Sequence, residues 1–209
     1  MQMLLKIGFN ALHLKENSRM EVAIEKIRCD WAGKDPLYQK YHDQEWGVPI
    51  HDDERLFEFL LLETFQAGLS WITILRKREH FRLAFDQFDY RKIASYSPEK
   101  ELELVHNQDI IRNRLKIKAA ISNAQAFMRV QNEFGTFSKY LWDFVEGKPI
   151  QNHFKQIQEL PASTALSDTI SKDLKKRGFK FVGSTIVYAH LQACGLVDDH
   201  LTSCFKRNK

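Results

Sequence analysis

Residues 174–183 read Leu-Lys-Lys-Arg-Gly-Phe-Lys-Phe-Val-Gly, and helical sequence patterns lie on both sides of this stretch. Ser167 stands where a helix cap is expected, ahead of a helix over about 168–177. Gly178 is suited to end that helix in the left-handed conformation. A second helix follows at about Ser184. The sequence therefore predicts two helices joined by a tight turn with a glycine at each end.

This turn is a candidate site for a polyanion backbone. The start of the second helix leaves backbone N–H groups unpaired at Gly183, Ser184 and Thr185, and such groups bind phosphate. Five basic residues surround the turn against one acid, Asp173: Lys172, Lys175, Lys176, Arg177 and Lys180. They favour DNA backbone binding by counterion displacement. Alternatively, they are a solvated helix end, since cations are favourable there.

The remaining sequence is also helical in pattern. An Asp-Pro pair at 35–36 suits a helix start, and the acidic run 52–54 opens the next helix, which ends near Gly68. Further helices are predicted over about 70–85, after Ser97, over about 113–134, 137–146 and 184–194. Alternating strand patterns are almost absent, so the predicted fold class is all-α.

Composition excludes several classes of protein. The 209 residues are 44% hydrophobic and 28% charged, which is typical of a globular domain rather than a disordered chain. No apolar run approaches the roughly 20 residues of a membrane span. Three cysteines argue against a disulfide framework. The net charge of +4 permits a polyanion partner without requiring one. We expect a cytoplasmic monomer with no membrane partner.

Residues 1–27 differ from the rest of the sequence, with mixed polarity and a single aromatic residue, Phe9. We interpret them as an appended arm, or as sequence ahead of a true start at Met20, and we see no signal peptide in them. The predicted domain occupies 28–204, and 205–209 form a short C-terminal tail.

Four residues near the two ends of the domain are candidate metal ligands. Cys29 and His42 lie near its start, and His200 and Cys204 lie four apart near its end, on one face if helical. Two cysteines and two histidines suit tetrahedral Zn²⁺, and four protein ligands make a structural rather than a catalytic site. Alternatively, the cysteines are small buried residues and the histidines lie at the surface.

An aromatic cluster and one glutamate are candidates for a ligand pocket. The rings are Trp31, Tyr38, Tyr41, Trp46 and Trp71. Such rings more often fill a core. Glu63, however, shares a helix stripe with apolar residues, and a carboxylate on such a face must be paired or serve a ligand.

Seven motifs of the sequence, in order and at matching spacing, strongly resemble the 3-methyladenine DNA glycosylase I family. They are CDW at 29–31, DPLY at 35–38, YHDQEWGVP at 41–49, QAGLSW at 66–71, KRGFKFVG at 176–183, ACGL at 193–196 and DHLTSC at 199–204. The resemblance covers essentially all of 28–204 and leaves 1–27 outside.

The resemblance implies a helix-hairpin-helix DNA glycosylase fold with one structural zinc on Cys29, His42, His200 and Cys204. It implies a base pocket whose members are Glu63, Tyr38, Tyr41 and Trp71, supported by Trp31 and Trp46. The hairpin from Gly178 through Lys180 and Gly183 to Ser184 and Thr185 would hold the DNA backbone. One departure is the pair Thr64 and Phe65 after the glutamate, and we expect Phe65 to reshape the pocket wall.

The implied activity is base excision repair: a monofunctional glycosylase binds double-stranded DNA with alkylated bases, flips out 3-methyladenine and leaves an abasic site. The alternative from another class is a non-catalytic helix-hairpin-helix DNA-binding module. A zinc hydrolase or deaminase is disfavoured, because the sequence lacks a His-x-Glu with a Cys-x-x-Cys.

Overall fold

A computed structural model describes residues 26–207, and within them the chain is mostly helical. The nine α-helices of this part are α1 Pro36–Gln44, α2 Asp53–Gln66, α3 Trp71–Ala84, α4 Tyr90–Ile93, α5 Pro98–His106, α6 Arg114–Phe134, α7 Phe137–Asp143, α8 Ala165–Lys176 and α9 Ser184–Ala193. Three single-turn 3₁₀ helices lie at Asp30–Ala32, Asp86–Phe88 and Ile157–Glu159. The predicted extension over 1–27 lies outside the described residues except for 26 and 27.

The all-α prediction misses one small β element. Strands β1 (Ile150–Gln151) and β2 (Val197–Asp198) pair in parallel, with Ile150 opposite Val197. Two residues per strand leave no alternation to read in the sequence, which is why pattern analysis does not find them. The pair fastens the loop after α7 to the segment after α9.

Helix α2 forms the centre of the core. It packs against α3, α6, α7 and α9, and ten consecutive residues from Leu56 to Phe65 are buried. An aromatic cluster continues this core towards α6 and α7, and the rings of Phe127 and Phe137 stack with centroids 4.1 Å apart. A helix buried on nearly all sides has no single apolar stripe, so its sequence cannot tell which face meets which neighbour.

Helix ends follow the predicted caps with a few corrections. The Asp35 side chain caps α1 as expected, and the side chains of Ser97 and Asn113 cap α5 and α6 at their predicted starts. The prediction that Ser167 caps α8 is wrong. Thr164 is the cap, and Ser167 lies three residues inside, where its hydroxyl accepts the Thr164 N–H at 2.9 Å. This reciprocal capping box gives both residues the appearance of a cap in sequence.

The structure differs from the sequence analysis in three further details. The helix expected over 137–146 ends at Asp143, because Glu146 and Gly147 take positive φ angles of 54° and 71°. The segment from His200 to Cys204 consists of turns rather than a helix. The four-residue α4 was not predicted, since it is too short to show a helical period.

The predicted pair of helices is present as α8 and α9, joined through Gly178, whose φ of +95° ends α8 in left-handed geometry. Helix α6 fixes the connection. The buried Asn123 side chain donates to the Lys180 carbonyl at 3.0 Å and accepts the Lys180 N–H at 2.7 Å. Ser171 donates to the Val182 carbonyl at 2.6 Å. The turn is therefore a rigid part of the fold. Within residues 26–207, no helix is long and apolar enough to cross a bilayer.

The start of α2 also anchors α7. The Asp53 carboxylate accepts the backbone N–H groups of Phe137 at 2.9 Å and Ser138 at 2.8 Å, and the Gln131 side-chain amide at 2.6 Å. One carboxylate thus joins α2, α6 and the first turn of α7, where the unpaired N–H groups of a helix favour negative charge.

We expect Asp53→Ala to lower the free energy of unfolding by about 2–3 kcal/mol, because several hydrogen bonds to a charged group are lost at once. Urea unfolding followed by circular dichroism measures the change. Glu54→Ala is the matched control. That side chain is 68% exposed and should cost at most about 0.5 kcal/mol. Equal losses in the two variants would contradict this role of Asp53.

Candidate functional site

A cavity of about 210 Å³ lies between α1, α2, α3, α9 and the 3₁₀ helix Ile157–Glu159. It brings together all six residues that the sequence analysis selected for a pocket. Its lining is Trp31, Tyr38, Tyr41, Trp46, Glu63, Gln66, Trp71, Ile157, Leu160, Ala189 and Gln192. Of these eleven described residues five are aromatic, and one, Glu63, carries a carboxyl group.

The rings form one continuous wall. The Trp31 ring centroid lies 5.0 Å from that of Tyr38 and 4.9 Å from that of Trp46, and Tyr41 lies 5.4 Å from Trp71. The tilted and edge-on packing is the arrangement that ring quadrupoles prefer. Tyr41, Trp46 and Trp71 are buried, whereas Trp31 and Tyr38 are half-buried. The wall therefore offers π faces to a ligand without a large rearrangement.

Glu63 is the polar centre of the cavity. It lies in the last two turns of α2, is 3% exposed, and its Oε2 atom has no hydrogen-bond partner among the described residues. Burial raises the pKa of its carboxyl group to about 8. An unpaired buried carboxyl group costs stability, so its position in this wall points to a ligand as the missing partner.

Three neighbouring residues share this environment. Trp71 begins α3, and its indole N–H is the second buried polar atom beside the cavity that lacks a partner in the described chain. Burial, and then the charge of Glu63, raise the pKa of Tyr41 and of Tyr38 above the ordinary value. Both tyrosines therefore stay neutral near pH 7, and the cavity presents one unpaired acid and one unpaired donor.

The expectation that Phe65 reshapes the pocket wall is wrong. Its ring is fully buried on the opposite side of α2, with centroids 4.8 Å from Phe81 and 5.6 Å from Phe85. Thr64 turns its hydroxyl back to the Leu60 carbonyl at 2.9 Å. Neither residue lines the cavity, because successive positions on a helix point about 100° apart.

Sequence reasoning missed the residues that close the cavity from other elements. Ile157 and Leu160 come from the loop before α8, and Ala189 and Gln192 come from α9. Only Gln66 lies in one of the seven sequence motifs. The others have no local signal, because their position depends on how α9 packs against α2.

The turn between α8 and α9 exposes the groups expected to meet a phosphate backbone. No side chain caps α9, and within the described chain no acceptor takes the N–H groups of Ser184 or Thr185. Four lysines around the turn are exposed: Lys172, Lys175, Lys176 and Lys180. Arg177 differs, since it is held by Asp173 at 2.5 Å and Glu133 at 2.7 Å.

A second basic stretch of the sequence, Arg112, Arg114, Lys116 and Lys118, has the pattern of a helix start facing water, and the structure corrects this for one residue. Lys116 does not face water but is 5% exposed, and its ammonium group donates to the carbonyls of Phe65 at 2.8 Å and Ala67 at 2.6 Å. Cations favour the carbonyl end of a helix, so Lys116 holds the end of α2 and the loop that leads to Trp71.

Three of the four candidate metal ligands converge. The ligand atoms of Cys29, His42 and Cys204 lie within 4.8 Å of one another, and all three residues are buried. The Cys29 thiol donates to the Cys204 sulfur, which raises the pKa of Cys29 and lowers that of Cys204. The His200 ring lies outside this group, edge-on to His42 with centroids 5.2 Å apart.

In His42 and in His200, one ring nitrogen lies within hydrogen-bond distance of a carboxylate. His42 Nδ1 lies 2.9 Å from Asp43, and His200 Nδ1 lies 2.8 Å from Asp198. This leaves Nε2 of each ring directed elsewhere, and Nε2 of His200 is buried without a partner in residues 26–207. Gly47 permits the approach of His200, because an added Cβ would lie 2.6 Å from its ring.

The raised pKa of Glu63 predicts a pH-dependent cost of folding. The unfolded chain ionises this group near pH 4.5, whereas the folded chain keeps its proton to about pH 8, so stability is lost as pH rises between these values. We expect Glu63→Gln to raise the free energy of unfolding by about 4 kcal/mol at pH 8 and by little at pH 4. Urea unfolding at both pH values measures this difference.

Glu79→Gln is the control for that measurement, because the Glu79 side chain is 77% exposed and its removal should give no pH-dependent gain. A Glu63→Gln variant no more stable than the wild type at pH 8 would show that the carboxyl group is not destabilising in this position.

The comparisons with known proteins agree with the geometry. A sequence profile of the methyladenine glycosylase family matches residues 31–207. DNA-3-methyladenine glycosylase 1 of Escherichia coli (strain K12) is 50% identical over 177 residues, which are 85% of this chain and 95% of that protein. The DNA-3-methyladenine glycosylase of Haemophilus influenzae is 46% identical over 177 residues, 85% of this chain and 96% of that protein.

Solved structures give the same result. A crystal structure of a 3-methyladenine DNA glycosylase I superposes with a TM-score of 0.83 at 51% identity, covering 86% of this chain and 98% of that one. A structure of the Staphylococcus aureus 3-methyladenine DNA glycosylase I, solved for its 3-methyladenine recognition, gives 0.84 at 38% identity and covers 87% and 97%. The chain described here belongs to the methyladenine glycosylase family.

Proposed function

We propose that this protein is a DNA repair glycosylase that excises 3-methyladenine from alkylated DNA. The observation that carries the proposal is the buried, unpartnered carboxyl group of Glu63 in an aromatic cavity of about 210 Å³. That volume is below the roughly 300 Å³ of sites for drug-sized ligands, which suits a single purine. The relatives named for this activity support the assignment.

The source of selectivity is charge. Methylation at N3 of adenine places a positive charge on the base, and a cation gains from the π faces of Tyr38, Tyr41 and Trp71. Glu63 accepts a hydrogen bond from the exocyclic amine, and its carboxylate form is stabilised by the cation. Neutral adenine gains less from both interactions, so it is bound more weakly.

The base reaches this cavity only after it is flipped out of the duplex, which costs a few kcal/mol and least where damage has weakened stacking. The C1′–N9 bond then breaks, its electron pair neutralises the charged base, and water adds to C1′ with loss of a proton. Positioning and electrostatic stabilisation suffice for a good leaving group. Among residues 26–207, no lysine lines the cavity, which favours a monofunctional hydrolase that leaves an abasic site.

The turn between α8 and α9 is the proposed backbone contact, in the manner of a helix-hairpin-helix motif. Unpaired N–H groups at Ser184 and Thr185 bind a phosphate, with Gly178, Lys180 and Gly183 shaping the turn. The exposed lysines around it release counterions on binding. In this proposal the DNA backbone binds at the start of α9, the helix whose Ala189 and Gln192 line the cavity, and the aromatic wall contacts the base.

We further propose one structural zinc ion at the Cys29, His42 and Cys204 group, with His200 as the fourth ligand. Three observations support it: the converging buried sulfur and nitrogen atoms, the unpartnered Nε2 of His200, and a carboxylate behind each histidine. Zinc would join the start of the described chain to its end. It takes no part in catalysis, because four protein ligands leave no open position.

The experiment that tests the proposed function is release of free base from methylated DNA. We expect the wild type to release 3-methyladenine. Glu63→Gln and Trp71→Ala should each lower the single-turnover rate by about 10-fold to 100-fold. The first variant loses a hydrogen bond to a charged group, and the second loses a stacked ring. Chromatography of the released bases measures the rate, and Glu79→Gln is the control that should retain full activity.

Unchanged activity in both pocket variants would remove the pocket assignment. A wild type that binds the damaged DNA but releases no base would instead indicate a non-catalytic DNA-binding module.

Metal analysis tests the zinc proposal. We expect about one zinc per chain, and we expect Cys29→Ser to lose it together with at least about 2 kcal/mol of stability, or roughly 4–8 °C in melting temperature. Cys194→Ser is a matched control, because Cys194 is the third buried cysteine and lies outside the ligand group. Much less than one zinc per chain, with a stable Cys29→Ser variant, would refute the site.

A further inference from the structure

A second buried carboxylate lies behind the cavity, and none of the steps above uses it. Asp199 is 1% exposed and follows strand β2. Its Oδ1 accepts the Asn152 side-chain amide at 2.7 Å, and its Oδ2 accepts the Gln192 side-chain amide at 2.7 Å. The Tyr188 hydroxyl also donates to Oδ2. The carboxylate is therefore well paired, and one of its three partners, Gln192, lines the cavity.

The pairing determines which end of the Gln192 amide is available. A carboxylate only accepts hydrogen bonds, so it requires the NH₂ group of Gln192 and excludes its oxygen. Within residues 26–207, the side-chain hydrogen bond of Gln192 is the one from Nε2 to Asp199, and its Oε1 atom accepts none. Asp199 takes one hydrogen of this NH₂ group, so the Oε1 atom on the other side of the amide is the acceptor that Gln192 offers to a ligand, beside its second amide hydrogen.

The backbone of Gln192 is also fixed. Its carbonyl accepts the N–H groups of Gly47 at 3.1 Å and Gly195 at 3.2 Å, at the end of α9. Tyr188 lies one turn earlier on the same helix, and Asn152 reaches Asp199 from the segment after β1. Asp199 is thereby held from both sides, and the orientation it imposes on Gln192 costs little reorganisation when a ligand arrives.

We propose that the Oε1 atom of Gln192 is a second base-recognition acceptor of the cavity beside Glu63, and that Asp199 is the positioning residue that keeps it an acceptor. The inference rests on the proposed function. A cationic aminopurine has donor hydrogens and a delocalised positive charge. It is therefore bound more tightly by the Gln192 carbonyl oxygen, whose amide is hydrogen-bonded to the Asp199 carboxylate. A purine that presents a carbonyl oxygen to the same position is repelled, so the pair selects for an aminopurine.

Exchanging the hydrogen-bond donor and acceptor between positions 192 and 199 tests this proposal. In Asp199→Asn the new amide can donate to Gln192, which allows the Gln192 amide to turn its NH₂ group to the cavity. In the double variant Asp199→Asn with Gln192→Glu, the amide at position 199 donates to a carboxylate that again presents an acceptor. We expect Asp199→Asn and Gln192→Met to lose at least about 10-fold in single-turnover excision of 3-methyladenine, and the double variant to recover most of that loss.

Two further readouts separate positioning from folding and from the proposed function. Affinity for DNA with an abasic site, which has no base to recognise, should change less than about threefold in all variants. The side-chain amide resonance of Gln192 in wild-type protein should shift when 3-methyladenine is added, whether or not excision occurs. A wild type that excises nothing would refute the proposed function. The change in the Gln192 amide resonance would still show whether this side chain contacts the base.

The proposal is overturned by a double variant no more active than Asp199→Asn while both melt near the wild type. It is equally overturned by full activity in Gln192→Met, or by an unmoved Gln192 resonance in the presence of the base. A purely structural role for Asp199 predicts additive losses in the double variant, whereas the acceptor role predicts rescue.

Discussion

The central constraint on this molecule is a carboxyl group that the fold buries without a partner. Glu63 lies in the middle of an aromatic wall, and its burial raises its pKa to about 8 at a cost to stability. Such a cost persists in a folded protein where function requires it. A cationic ligand offsets the cost, because it stabilises the charged carboxylate, whereas a neutral ligand offsets much less. The selectivity for a methylated base that we propose then follows from the same interaction that destabilises the unliganded protein.

The surrounding fold holds this group in place from several directions. The Asp53 carboxylate fixes the start of α2, and the Lys116 ammonium group holds its last carbonyls. Helix α9 closes the cavity with Gln192, whose amide is oriented by Asp199. The same α9 begins at the turn that exposes unpaired N–H groups. The proposed backbone contact and the proposed base contact therefore both involve α9, which favours a preorganised site.

The sequence alone predicts much of this arrangement. Helix positions follow from caps and apolar spacing, and all six pocket residues named from the aromatic cluster and the lone glutamate meet in one cavity. The features that the sequence does not predict depend on contacts between residues distant in sequence. Gln192 and Ile157 reach the cavity only through packing between elements distant in sequence. Lys116 resembles part of a solvated basic run because spacing cannot reveal that its ammonium group meets two buried carbonyls. Phe65 points away from the cavity, and the sequence does not show this because α2 is apolar on nearly every side.

The most direct measurement is the titration of Glu63 itself, by ¹³C NMR of its side-chain carboxyl group with assignment by Glu63→Gln. In the free protein we expect an apparent pKa near 8. Addition of 3,9-dimethyladeninium, which keeps the positive charge of the methylated nucleotide, should lower that pKa by at least about one unit, because the cation favours the carboxylate. A pKa near 4.5 in the free protein, or one that the cation leaves unchanged, would contradict the account of a buried carboxyl group that selects a charged base.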